Sequence, residues 1–187
     1  MQVSRIGISS QPHEFMGDPA MILGLSLVQF TQFHVIISLI AIAAGLIFFL
    51  SLAGGRWLML TNGAFLLFTV LTSVTGFMFP PKPIGPPFIF GVISLGLLAI
   101  ALFALHGKRL AGRWRGGYLA AALFAQYLNM VVLVVQSFQK IPALNAFAPT
   151  GAEPALLVTQ VALLIGTLVV GWRVIARAPV GMTPKAT

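Results

Sequence analysis

Apolar residues in this chain arrive in long blocks, and five of the blocks are long enough to cross a bilayer. A helix needs about 20 residues to traverse roughly 30 Å of hydrocarbon. Residues 20–53 are nearly continuously apolar, which is too long for one perpendicular span. The polar interruption Gln29, Thr31, Gln32 divides the block into an outer interfacial segment, 20–28, and a first span, 30–53. Residues 1–29 therefore read as a polar leader plus that interfacial segment, and 30–175 as the transmembrane domain. Gly54, Gly55 and Arg56 leave only a tight turn, so the second span, 57–79, is an antiparallel neighbour of the first. Trp57 falls at the head-group level that indole rings favour.

Between residues 80 and 87 the chain carries five prolines, Pro80, Pro81, Pro83, Pro86 and Pro87. That density predicts a stiff, polyproline-II-like connection that stops one helix and starts the next. The third span covers 88–105. A basic loop, 106–117, follows, with Trp114 and Tyr118 as interface anchors. The fourth span covers 118–138, an outer loop occupies 141–153, and the fifth span runs over 154–172 from Pro154, a residue suited to a first helical turn. Residues 176–187 form a tail. The expected fold is an all-α integral membrane protein, a bundle of five transmembrane helices.

Charge orients the bundle. Arg56, Lys108, Arg109, Arg113, Arg115, Arg173, Arg177 and Lys185 lie on one side of this map. Arg5, Lys82 and Lys140 lie on the other, with all the acids, Glu14, Asp18 and Glu153. Excess Lys and Arg mark the cytoplasmic face, which puts the N-terminus outside and the C-terminus in the cytoplasm.

Composition narrows the function classes. With 58% hydrophobic and 7% charged residues and a mean hydropathy of +0.99, a soluble globular domain is excluded. A net charge of +8 would suggest nucleic acid in a soluble chain. Here the charges collect at helix ends, where they meet anionic lipid head groups, so no nucleic-acid partner is expected. Cysteine is absent, which removes disulfides, thiolate metal sites and thiol redox chemistry. Residues 1–19, with Pro12, His13, Glu14, Asp18 and Pro19, do not read as a cleavable signal.

The polar residues inside the spans carry what chemistry there is. Gln126, Asn129, Gln136 and Lys140, with Leu133 between, fall on one helical stripe. Unpaired amides in hydrocarbon are costly, so the stripe should face other helices. Packing bonds explain it, and so would a polar groove for a ligand. Span two adds Asn62, Thr69, Thr72, Ser73, Thr75 and Gly76; span one adds His34 and Ser38; span five adds Thr159 and Gln160. The candidate ligand- or partner-binding set is His34, Ser38, Thr72, Ser73, Thr75, Asn129, Gln136 and Gln160, concentrated in the outer leaflet.

His34 is the ionisable residue nearest that set, and intramembrane ionisable groups are functional candidates by default. His106 lies at the opposite face as an interface residue, and His13 sits in the leader. Two axial histidines on one haem must meet at one iron; His34 and His106 are a bilayer apart, and His13 reaches His34 only if the leader folds back. No carboxylate lies in a span, and neither a phosphate-binding loop nor a nucleophile elbow occurs. No catalytic centre, metal site or cofactor is expected.

The stretches Phe33-His34-Val35-Ile36-Ile37-Ser38, Thr72-Ser73-Val74-Thr75-Gly76-Phe77, Tyr127-Leu128-Asn129 with Val134-Val135-Gln136, and Pro142-Ala143-Leu144 carry a resemblance. They resemble an uncharacterised family of small five-span proteobacterial inner-membrane proteins. That resemblance runs from span one to span five and implies a bacterial inner (cytoplasmic) membrane location, with no substrate attached. Three functions stay open. One is an accessory subunit or binding module for another membrane protein or a second copy of the chain. Another is a small-molecule binder or transporter. The last is a quinone- or haem-binding redox protein using His34.

Overall fold

A computed structural model describes residues 21–80 and 85–177. Five of its helices are long and apolar enough to span a membrane. They are α1 (Leu27–Ala53), α2 (Met59–Phe77), α3 (Pro86–Leu102), α4 (Arg113–Lys140) and α6 (Pro154–Arg177); α5 (Pro142–Asn145) is a single turn between the last two. The leader, the tail beyond Arg177 and residues 81–84 lie outside the described residues, and with them half of the proline-rich connection. Pro86 and Pro87 open α3, where a missing N–H costs nothing.

The start of α1 differs from the sequence expectation for a definite reason. Gln29 is not a boundary but part of a cap. The Ser26 hydroxyl accepts the Gln29 N–H at 3.3 Å, and the Gln29 carboxamide oxygen accepts the Ser26 N–H at 3.0 Å. Residues read as an interfacial segment instead make a small antiparallel hairpin of β1 (Met21–Ile22) and β2 (Leu25–Ser26). It turns through Leu23 and Gly24 at φ 55° and 78°, the left-handed pair that a two-residue hairpin requires.

At the other end of α1, Gly55 turns the chain at φ 80°. Helix α2 begins at Met59, leaving Trp57 outside it with its ring edge-on to Phe48 at 5.1 Å. Helix α3 runs into a π-helical turn, Phe103–Gly107, closed by the Lys108 N–H on the Phe103 carbonyl at 3.0 Å. Arg109, Leu110 and Gly112 all have positive φ, so the chain reverses within a few residues. The basic loop is consequently shorter than expected: α4 begins at Arg113 and takes in Trp114 and Arg115. Helix α6 likewise continues past Trp172 to Arg177.

Helix α1 packs on α2, α2 on α3, α3 on α4, α4 on α6, and α6 returns to α1; α1 also touches α4 across the middle. Lipid tails are as apolar as leucine, so the association rests on close packing and interhelical hydrogen bonds. Helix α4 meets this need with Ala121, Ala122 and Ala125, all buried against Phe48, Phe49, Leu52 and Phe65. Helix α6 is the outlier. Only Leu156 and Val174 of its residues are buried, so it lies against the bundle with most of its surface turned outward.

Candidate functional site

Helix α2 is the polar spine of the bundle. Three of its side chains each bond to a different partner at a different depth. Near its start, Asn62 accepts a hydrogen bond at Oδ1 from the Tyr118 hydroxyl of α4. In the middle, the Thr69 hydroxyl accepts from Asn129 Nδ2 of α4 at 3.1 Å. Near its end, Thr75 Oγ1 lies 2.8 Å from His34 Nδ1 of α1. At 1.5 Å per residue these levels are spread over about 20 Å, most of the hydrocarbon thickness.

The direction of the Thr75–His34 bond follows from a count of protons. Thr75 has one hydroxyl hydrogen, and its oxygen sits 2.8 Å from the Leu71 carbonyl one turn back. A carbonyl can only accept, so the Thr75 proton belongs there. His34 Nδ1 must then be the donor, and in the neutral ring this leaves Nε2 as an acceptor. Among the described residues Nε2 has no partner. The ring stands edge-on to Phe79 at 5.2 Å, and Phe79 in turn meets Phe30 at 5.0 Å. Ser38 is one turn deeper on α1, but its hydroxyl is committed to the His34 carbonyl at 2.6 Å.

The candidate residues divide accordingly. His34, Ser38, Thr72, Ser73 and Thr75 gather on α1 and α2 at the same end. Ser73 and Thr75 are buried, and the buried Thr72 hydroxyl has no partner among the described residues. Asn129 bonds about 9 Å deeper, at Thr69, as the six-residue offset from Thr75 dictates. Gln160 turns to α4, where its Nε2 donates to the Val131 carbonyl at 3.3 Å. Gln136 corrects the stripe: it is exposed, as is Lys140, and makes no side-chain bond among the described residues. The stripe faces protein only over its first half; at the level of Gln136 a different face of α4, with Val134, Val135 and Phe138, packs on Leu144, Ala148 and Leu156.

Three features escape the sequence, the first of them the partners of Gln126 rather than its inward placement. Gln126 is 3% exposed and sends its Nε2 to the Ile42 carbonyl of α1 at 3.1 Å. Its amide fits only because residue 45 is glycine: a Cβ there would stand 2.6 Å from Gln126 Cδ and 2.8 Å from Phe65 Cδ2. Tyr118, expected as a head-group anchor, is fully buried, capped by Trp57 at 5.8 Å and bonded to Asn62. The third is a crevice of about 390 Å³ between α2 and the π-turned end of α3, lined by Asn62, Gly63 and His106 among apolar side chains. The Asn62–Tyr118 spacing across two helices carries no local signal, and a crevice carries none at all.

Among the described residues no group of three or more His, Cys, Asp or Glu side chains comes together. Compared with known protein families, curated proteins and solved structures, the chain matches none.

Proposed function

We propose that this protein is an accessory subunit or binding module of a bacterial inner membrane, engaging another membrane component through His34 at the outer end of the bundle. The observation that carries this reading is the unused acceptor at His34 Nε2. Most of the other polar side chains in the spans are spent on packing: Asn62, Thr69, Ser38, Thr75 and Asn129 all have partners within the bundle. His34 alone in its cluster combines a fixed ring orientation with an uncommitted ring nitrogen. Thr75 sets the ring and Phe79 walls it, so the acceptor is pre-organised at low entropic cost. The loop charges support an outside position for this end.

What such a nitrogen recognises is a donor: a backbone N–H of a partner helix or a hydroxyl on a membrane-soluble molecule. A quinol would satisfy it where a quinone carbonyl would not. No step of bond making is required of the site, in keeping with a binding role rather than catalysis.

The test compares wild-type protein with His34→Gln and with Gln139→Ala, an exposed residue at the same end. Each is extracted in mild detergent, and every retained protein and small molecule is identified by mass spectrometry. His34→Gln should insert and fold but lose a species that wild type and Gln139→Ala keep. Retention of every species by His34→Gln would leave a histidine that only holds α1 against α2.

A further inference from the structure

The crevice between α2 and α3 lies at the opposite end of the bundle from His34 and has no part in the reading above. Its walls are Leu66, Leu67, Val70, Leu102 and Leu105, an apolar slot open between two spans. At about 390 Å³ it is more than twice the ~150 Å³ cavity that accommodates a benzene ring. Its head end is different. Asn62 lines it, is 3% exposed, and has its Oδ1 taken by Tyr118, so the amide is held in one orientation. Its Nδ2 donors have no partner among the described residues. His106 lines the same end, one turn into the π segment.

No Lys or Arg lines the slot itself, but the chain that leaves it at His106 is rich in cations. Lys108 and Arg109 follow His106 after Gly107, and Arg113 and Arg115 open α4. Lys108 is positioned rather than loose: its Nζ stands 5.4 Å from the Phe103 ring centre and 5.8 Å from that of Trp114. None of the three acids, Glu14, Asp18 and Glu153, lies in the segments that form this end. An apolar slot running into the bilayer, an amide donor at its mouth and a run of cations in the segment that follows His106 complement a molecule with a hydrocarbon tail and an anionic, hydrogen-bond-accepting head.

We infer that the α2–α3 crevice seats an anionic phospholipid. One acyl chain lies along Leu66, Val70 and Leu102, the Asn62 amide donates to an ester or phosphodiester oxygen, and the Lys108–Arg115 cluster neutralises the phosphate. Basic pockets between spans on the cytoplasmic side are the usual form of such recognition. The occupant is a lipid and not free phosphate, because the crevice is far more apolar wall than polar mouth.

The experiment measures thermal unfolding of the detergent-solubilised full chain against added phosphatidylglycerol, phosphatidylcholine or inorganic phosphate. Phosphatidylglycerol should stabilise at concentrations about tenfold below those needed with phosphatidylcholine, and inorganic phosphate should do nothing. Gly63→Leu fills the slot from α2, where a Cβ meets nothing within 4 Å, and the unfolding transition measured without lipid reports that the variant is folded. That variant should lose the response to both lipids. Lys108→Gln combined with Arg109→Gln leaves the slot intact and should respond equally to the two lipids. Equal stabilisation of the wild type by both lipids, an unchanged response in Gly63→Leu, or full stabilisation by phosphate alone would each overturn the assignment.

Discussion

Gly45→Ala isolates the contact on which the centre of the bundle depends. Alanine in place of a mid-helix glycine ordinarily stabilises by about 0.5–1 kcal/mol. At residue 45 the new methyl has nowhere to go. It would sit 2.6 Å from Gln126 Cδ, nearer still to Oε1, and 2.8 Å from Phe65 Cδ2. Phe65 is 0% exposed and packed edge-on against Phe49, so the strain falls on the Gln126 amide, the more flexible of the two neighbours. Overpacking of this kind costs about 1–3 kcal/mol. Displacing the amide also forfeits its bond to Ile42, worth about 0.6 kcal/mol in a membrane bundle. Subtracting the propensity gain leaves a net loss of about 1–3 kcal/mol, or roughly five- to hundredfold in the unfolding equilibrium. Unfolding by SDS titration in mixed micelles reads this directly. Gly166→Ala on α6, where a Cβ meets nothing within 4 Å, is the matched control and should be neutral or slightly stabilising. Adding Gln126→Ala to Gly45→Ala should recover part of the loss, since one of the two clashing partners is gone. Equal stability of Gly45→Ala and Gly166→Ala would refute the reasoning.

Tyr118→Phe should cost about 1–3 kcal/mol in the same titration, because the buried Asn62 Oδ1 loses its donor; an unchanged midpoint would show that the pair is dispensable. Asn129→Leu should lose less, about 0.6 kcal/mol, since Thr69 can turn its hydroxyl back to its own helix. Glu153 predicts an acid dependence. The Thr150 backbone N–H at 2.8 Å holds its carboxyl below the ordinary value of 4.5, aided by the Thr150 hydroxyl at 2.8 Å and the Ala152 N–H at 3.0 Å. A depressed carboxyl contributes stability that is complete above its ordinary value and is lost as pH falls through the depressed one. Wild type should therefore lose stability on the acid side of 4.5 more steeply than Glu153→Gln, and parallel curves would remove Glu153 from that role.

The five spans were legible because membrane insertion depends on block length and composition, which one sequence displays in full. Boundaries were less so. Gln29 looked like a break in the apolar run, whereas its side chain serves as the partner of Ser26 in a cap, a reciprocal pattern visible only once a helix start is assumed. Tyr118 looked like an anchor because an aromatic beside a basic loop fits the interface; its burial comes from α4 starting at Arg113, which carries it into the bundle. Helical periodicity correctly set Gln126 and Asn129 on an inward stripe. It could not say which face α5 and α6 cover at the far end of α4, where Val134, Val135 and Phe138 pack and Gln136 stays exposed. His34, Thr72, Ser73 and Thr75 share a depth that span arithmetic gives; the Thr75 bond that orients the imidazole depends on the α1–α2 crossing, which no local pattern encodes.

The central claim is a five-span bundle with the His34 end outside, and the absence of cysteine makes it directly measurable. Single cysteines at the exposed positions Met21, Arg56, Ala111 and Ala143 can be challenged with a membrane-impermeant maleimide in intact cells and again after permeabilisation. Met21→Cys and Ala143→Cys should label in intact cells, and Arg56→Cys and Ala111→Cys only once the membrane is opened. Labelling of Ala111→Cys together with Ala143→Cys in intact cells would put both ends of α4 on one side and contradict the account.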